Sequence, residues 1–272
     1  MSHMTLIVSL RIPDGIVLAG DSLATMQLNP KVKGDVHIKC PQCGHEHDTN
    51  VELDGTPYPS TTFPYSQKIF PFLKDYGIGT SGVAQLSGKT IYFALRELQK
   101  EIEGGSIPKP TKVSEVADLI EKRAQELLLQ ELTKSKLDIN KYPDGWSPIS
   151  FQVVGYENDI ATTIIVYNGK KVRRETLQGA GCTVIGQMQV VTALWTLQNT
   201  SNEPHLFDLF SLQDAVEYAE HLIDSTASYQ RFLRTVPTVG GDIDIALITP
   251  FAHFKWIRQK ELFAKISEAD RV

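Results

Sequence analysis

The chain is poor in the features that mark most specialised protein classes. It holds three cysteines, Cys40, Cys43 and Cys182, among 272 residues. An odd, small count with no secretory signal gives no disulfide framework, and it points to a reducing compartment, the cytoplasm. No apolar run approaches the ~20 residues of a membrane-spanning helix, so the sequence predicts no membrane helix. Basic residues do not cluster, and 27 Lys and Arg stand against 32 Asp and Glu, a formal net charge of −5. That balance excludes the basic stripe of a nucleic-acid binder and the polybasic anchor of an anionic membrane surface. No segment repeats at a fixed period, which excludes solenoids and propellers.

What is there reads as a globular domain. Hydrophobic residues make up 42% of the chain and charged residues 22%, both ordinary for a packed fold. A chain this long buries roughly 70% of its unfolded surface and needs no covalent staples. The opening Met1-Ser2-His3-Met4 reads as an expression scar ahead of a native start at Met4. Residues 5–272 are then one domain, and loss of Met4 exposes Thr5 as the N-terminus.

Apolar periodicity places the elements. Thr5–Leu10 and Gly15–Gly20 are continuous apolar runs around Pro13-Asp14-Gly15, a hairpin with both strands buried. Residues 27–65 are polar, rich in Pro, Gly, Asp and Thr, and read as a long insertion without sustained period. Lys68–Leu73 and Tyr76–Thr80 are strands. Leu86–Glu103 and Ser114–Leu132 have helical period, the first stopped by Gly104-Gly105 and the second capped around Ser114. Ser150–Tyr156, Ile160–Tyr167 and Lys171–Leu177 form a meander, separated by Asn158-Asp159 and Asn168-Gly169, the second pair a strong hairpin signal. A short strand at Cys182–Ile185 follows. Helices come next at Met188–Leu197 and Leu212–Ser228, the latter with capping chemistry at Ser211 to Asp214. Ile243–Ile248 and Phe254–Ile257 form a final antiparallel pair, and the tail is helical or frayed. Grouped strands and grouped helices predict an α+β fold, two antiparallel sheets covered by helix layers.

Four motifs stand in order. Thr5-Leu-Ile-Val-Ser leads to Asp21-Ser22-Leu23-Ala24-Thr25, with Asp21 sixteen residues after Thr5. Lys68-Ile69 opens a strand, and Ser81-Gly82 follows, with Gly82 fourteen residues after Lys68. Gly240-Gly241-Asp242 runs into an apolar strand. Together they resemble the proteasome β-subunits, members of the N-terminal-nucleophile (Ntn) hydrolase family, as in a bacterial proteasome-like protein. The resemblance covers most of the chain outside the insertion and the C-terminal extension. It implies a four-layer αββα sandwich and a threonine peptidase cleaving peptide (amide) bonds. By resemblance Thr5 is the nucleophile, its α-amine and Lys68 the base system, Asp21 the partner of Lys68, and Gly82 the oxyanion donor. Thr25 and Ala84 would line the substrate channel. The family habit adds a homo-oligomeric ring, a peptide or protein substrate and an ATPase partner.

The chemistry explains these residue types. A threonine hydroxyl is a weak nucleophile and needs an adjacent base. A free α-amine has an unperturbed pKa near 8 and can serve, directly or through a water. A buried lysine relays the proton or lowers the hydroxyl's pKa. An aspartate beside it offsets the cost of burying its charge. A turn N–H supplies the oxyanion donor. Taken singly, Thr5 is a strand residue, Asp21-Ser22 and Ser81-Gly82 are turns, and Lys68 is a strand end. The combination carries the reading.

Two departures from the family pattern weigh against catalysis. Family members place a serine after the glycine ahead of the third helix, where Gly186 is followed by Gln187. They also carry an aspartate and a serine before the Gly-Gly run, where Val236 and Val239 stand and Thr238 is the nearby hydroxyl. The alternatives are therefore a non-catalytic proteasome-like structural subunit and a small-molecule amidase or acylase of the same fold.

Within the insertion, Cys40-Pro-Gln-Cys43-Gly44-His45-Glu46-His47 resembles a zinc knuckle, and His37 is a further candidate ligand. Cys40, Cys43, His45 and His47 could close one tetrahedral structural zinc site, ordering a loop that lacks a core. No organic cofactor is expected. The insertion leaves the domain after Thr25, and the expectation is that it caps the channel or contacts a neighbouring subunit. Cys182 reads as a packed small hydrophobe, and His205, His221 and His253 as surface or core histidines.

Overall fold

The computed structural model describes residues 5–28, 31–39, 46–54, 58–200, 206–234 and 236–260. They form sixteen strands and four α-helices. In chain order the strands are β1 (Leu6–Ile12), β2 (Gly15–Asp21), β3 (Ala24–Leu28), β4 (Lys31–Lys39), β5 (Glu46–Asp54), β6 (Tyr58–Phe63), β7 (Ile69–Phe72) and β8 (Tyr76–Gly82). A two-residue pair follows, β9 (Gln85–Leu86) with β10 (Lys89–Thr90), then α1 (Ile91–Glu103) and α2 (Val113–Lys134). Next come β11 (Ile149–Glu157), β12 (Ile160–Asn168), β13 (Arg173–Gln178) and β14 (Gly181–Gly186). Helices α3 (Gln189–Thr200) and α4 (Leu212–Arg231) lead to β15 (Ile243–Thr249) and β16 (His253–Arg258). The class is α+β, and every strand pairing described is antiparallel.

Two compact units emerge, residues 1–24 with 64–272, and residues 25–63. The first holds two five-stranded sheets. One has the order β14-β1-β2-β15-β16, the other β13-β12-β11-β8-β7. Strands β1 and β2 are buried at all seven positions each. Successive residues of β1 therefore serve opposite faces. Leu6, Val8 and Leu10 pack in a cluster with Ala215, Ala219, Leu222 and Ile223 of α4. Ile7 joins a cluster containing Leu18 and Ile248 of its own sheet and Ile69, Val154 and Ile165 of the other. A third cluster joins Ile78, Phe151, Ile164 and Val166 to α1 and α2 through Leu98, Val116, Ile120 and Leu128. Each such side chain contributes about 1.5–3 kcal/mol on burial.

Several expectations shift by a turn. The first helix starts at Ile91, not Leu86. Ser87 and Gly88, with φ of 53 and 79, bend residues 85–90 into the small β9–β10 hairpin. Thr90 then caps α1, accepting from the Phe93 N–H at 3.2 Å. The expected cap of α2 at Ser114 is replaced by Lys112 at the capping position, without a side-chain bond. The Ser114 hydroxyl instead donates to Glu157 at 2.9 Å, tying α2 to β11. Of the two expected meander turns, the tight one is Asn158-Asp159, with φ of 52 and 62, the positive angles that a two-residue hairpin of this hand requires, while Asn168-Gly169 opens a longer connection closed by the pair Tyr167↔Arg173. The cap of α4 is as read from sequence, with Ser211 and Asp214 forming a reciprocal capping box.

The second unit corrects the insertion's expected lack of regular structure. Strand β3 pairs with β6, and β4 pairs with β5 over nine consecutive positions from Lys31↔Asp54 to Lys39↔Glu46. Across the whole set of described residues, no helix is long and apolar enough to cross a membrane.

Candidate active site

Thr5 precedes β1 and is 2% exposed. Its carbonyl oxygen accepts the Gln187 N–H at 2.7 Å. The chain reaches that bond because Gly186, opposite Leu6 in the β1–β14 ladder, has φ of 100. A Cβ on Gly186 would stand 2.0 Å from the Thr5 carbonyl oxygen, so no other residue fits there.

Asp21 closes the other side from the end of β2 and is 1% exposed. Its Oδ1 accepts three bonds, each 2.9 Å, from the Thr5 hydroxyl, the Leu6 N–H and the Lys68 ammonium. Its Oδ2 accepts the Leu23 N–H at 3.2 Å and the Gly240 N–H at 3.1 Å. Five donors meet one carboxylate, more than its roughly four lone-pair sites, so its accepting capacity is fully used. The Gly240 carbonyl in turn accepts the Ser22 and Leu23 N–H groups at 3.1 and 2.8 Å. The expected pairing of Lys68 with Asp21 is present, and the hydroxyl's direct partner is Asp21 as well.

Lys68 lies just before β7, its side chain 8% exposed. It also donates to the Leu23 carbonyl. Burial pushes its ammonium below the ordinary lysine range. The charge and hydrogen bond of Asp21 pull it partly back, and the nearby positive charge of Lys260 pushes it further down.

Ser81 and Gly82 end β8. Gly82 has φ of 111, and a Cβ there would stand 2.1 Å from the Pro148 carbonyl oxygen. The Ser81 hydroxyl is buried without a hydrogen-bond partner among the described residues. It lies 3.0 Å from where a Cβ on Gly186 would be, which sets the Ser81-Gly82 turn against the Thr5 peptide. Ala84 is exposed two residues on, its carbonyl accepting the Ile91 N–H at 3.1 Å. Thr25 is in β3 of the second unit and 7% exposed.

The two departures from the family pattern have a structural counterpart. The Gln187 side chain donates to the Thr238 hydroxyl at 3.3 Å. Gln230, in the last turn of α4, donates to the same hydroxyl at 3.2 Å. Its carbonyl oxygen accepts the Thr238 and Val239 N–H groups at 2.8 and 3.0 Å. A neutral amide–hydroxyl–amide chain thus braces the loop whose next residue, Gly240, binds Asp21. Val239 is 1% exposed and packs in the α4 cluster, while Val236 is 38% exposed. Gln230 had no signal in sequence, since its partners lie beyond a helix end.

The candidate metal ligands Cys40, Cys43 and His45 lie outside the described residues. His47 is opposite Ile38, and His37 opposite Asp48, in the β4–β5 ladder. Among the described residues no group of three or more His, Cys, Asp or Glu could hold a metal ion. Cys182 packs against the α4 cluster, and burial pushes its thiol up to about 12, as expected of an inert small hydrophobe.

No protein-family model matches the chain, and no curated protein is significantly similar to it.

Proposed function

We propose that the chain is an Ntn hydrolase of the proteasome β-subunit type, a four-layer αββα sandwich that cleaves peptide (amide) bonds with Thr5 as nucleophile. One observation carries this reading. The Thr5 hydroxyl, the Leu6 N–H and the Lys68 ammonium converge on a single oxygen of a buried aspartate. A strand-opening threonine in a merely structural role needs neither a buried lysine nor a shared carboxylate, and burying both costs stability. The two sheets and the helix clusters on their outer faces are the layers that such a sandwich requires.

The reaction needs a chain that starts at Thr5. Asp21 and Gln187 then hold the residue by its hydroxyl and its carbonyl. The hydroxyl oxygen attacks the scissile carbonyl carbon while its proton passes to the base formed by the α-amine and Lys68. Lys68 suits that role because burial favours its neutral form. The Gly82 N–H is assigned as donor to the developing oxyanion, and the proton returns to the departing amine. Water then cleaves the threonyl ester and restores the hydroxyl. Thr25 and Ala84 are assigned to the substrate channel. The assembly is a homo-oligomeric ring in the cytoplasm, with protein substrates delivered by an ATPase. Cys40, Cys43, His45 and His47 are assigned one structural zinc. Metal analysis should find one per chain, lost in Cys40→Ser/Cys43→Ser.

One observation favours a second reading, a non-catalytic subunit. The chain of Gln187, Thr238 and Gln230 is neutral throughout, whereas support of a working amine in this family is ionisable. Intact mass of a Thr5-start chain before and after a peptide epoxyketone separates the two, because the reagent needs both amine and hydroxyl. Gain of one inhibitor mass, absent in Thr5→Ala, is the expected result. A Thr5-start chain that gains nothing is the structural subunit. Modification without cleavage of any peptide in a library would point to a small-molecule amidase.

A further inference from the structure

Beside the Asp21–Lys68 pair lies a second buried ion pair that the proposed chemistry does not use. Asp244 on β15 stands opposite Gly20 on β2, one position before Asp21 in the same ladder. Directly opposed residues share a face. Their neighbours Ala246 and Leu18 pack in the cluster between the two sheets, so Asp244 enters that space too. The stem of Lys68 enters it from the other sheet. A Cβ on Gly20 would lie 3.9 Å from the Lys68 Cβ. Lys260, just past β16, returns to Asp244 and binds both carboxylate oxygens. Its backbone N–H donates to Oδ1 at 2.8 Å, and its ammonium donates to Oδ2. The two side chains are 5% and 2% exposed.

A buried lysine–aspartate pair at this place is not there for stability. Desolvating two charges consumes most of their attraction, and apolar residues of similar volume would hold the strand and the C-terminal segment at least as well. Such pairs gather where the charge state of a neighbour matters. Gly20 contributes no side chain of its own, and the atoms over it are apolar, Ile7 Cδ1 at 2.8 Å and Ile69 Cγ2 at 3.1 Å from a Cβ placed there, a low-dielectric surrounding that screens charge poorly.

We propose that Asp244 and Lys260 are positioning residues for the Thr5 site, with Asp244 seating Lys260 as a fixed second cation against Lys68. This rests on the reading of Lys68 as part of the base system. Among the described residues, the charges that act on Lys68 are Asp21 from β2 and Lys260 beyond β16, with Asp244 from β15 holding Lys260, and the Thr5 amine would join them once it is free. Asp21 favours the ammonium and Lys260 opposes it, the same direction found for Lys68 above. A base must be neutral to accept a proton, so Lys260 extends the site's working range to lower pH.

The test follows Lys68 itself and needs no turnover. Lysine 13Cε signals are titrated by NMR in the Thr5-start chain, with the Lys68 signal identified by its loss in Lys68→Arg. In Lys260→Met the Lys68 midpoint should rise by roughly one pH unit, the effect of removing one charge at short range in a partly screened interior. In Lys260→Arg it should stay in place. The double variant Asp244→Asn/Lys260→Met leaves no buried charge unpaired and guards against a fold that fails. It should show the same rise. The low-pH limb of epoxyketone modification should move upward with the midpoint. A midpoint unmoved in both Met variants, or moved as far in Lys260→Arg, overturns the proposal. A shifted midpoint in a chain whose Thr5 never reacts would keep the electrostatic pair and defeat the hydrolase reading instead.

Discussion

Gly186→Ala offers the sharpest test of how Thr5 is held, because two separable penalties meet there. The first is conformational. Gly186 has φ of 100, where a side chain costs about 1–3 kcal/mol. The second is a collision. The added Cβ would stand 2.0 Å from the Thr5 carbonyl oxygen and 2.9 Å from its carbon. Neither atom can yield without moving the Thr5 peptide. Movement breaks the 2.7 Å bond from the Gln187 N–H, worth about 1 kcal/mol. The total is about 2–4 kcal/mol. Gly105→Ala is the control, since Gly105 has φ of 76 and nothing within 4 Å of an added Cβ. It should lose only about 1 kcal/mol. Urea unfolding of both variants measures the difference. The same displacement draws the hydroxyl away from Asp21, and misplacement near 1 Å costs roughly a hundredfold in rate. Epoxyketone modification should slow by that order in Gly186→Ala and stay unchanged in Gly105→Ala. Equal stability losses, with modification rates within about twofold of the parent, would refute the view that Gly186 and Gln187 clamp Thr5.

Three further outcomes follow from the same geometry. Asp21→Asn leaves the Lys68 ammonium buried beside a neutral amide, so urea unfolding should show a loss of about 3–5 kcal/mol, and Asp21→Leu/Lys68→Met should recover part of it. Ser81→Ala removes a buried hydroxyl that has no hydrogen-bond partner among the described residues, and its melting temperature should stay level or rise; a fall of several degrees would refute this. Cys182 titrates near 9 when unfolded and is pushed up to about 12 when folded. The unfolded state therefore releases its proton first, and stability falls as pH climbs from about 9 to about 12, by about 4 kcal/mol in all. Cys182→Ala should flatten that part of the decline, measured as urea midpoints at about pH 8 and about pH 11.

Legibility followed the range of the interactions. The β1–β2 hairpin and the Ser211 capping box were readable because their signals lie within a few residues: an apolar run, a turn, a hydroxyl three positions from an acid. The start of α1 was misplaced because Leu86 fits a helical stripe as well as it fits a buried hairpin position. Only the turn at Ser87-Gly88 decides between them. The strands of residues 31–54 were missed although Val32, Val36 and Ile38 alternate with polar neighbours, as do Val51 and Leu53, because the Pro, Gly and Asp around them read as loop. The pairing of Lys68 with Asp21 is legible through the order and spacing of the four motifs, not through any local rule. Gln230, Asp244 and Lys260 were opaque for the same physical cause. Each acts on a partner that is distant in sequence or beyond an element's end.

The five donors on Asp21 also have an order in time. Thr5 and Leu6 are synthesised before Leu23 and Lys68, and Gly240 comes 219 positions behind Asp21. At ordinary synthesis rates that gap lasts on the order of tens of seconds. Throughout it the loop that ties Gly240 to Asp21, and the strand that carries Asp244, do not yet exist. On the proposed hydrolase reading, a nascent chain would hold Thr5 without being able to aim it. Completion of the last strands would arm Thr5, and a chain ending at residue 234 should leave it inert to epoxyketone. A hydrolase assembled this way would not cut its neighbours while it is still being made.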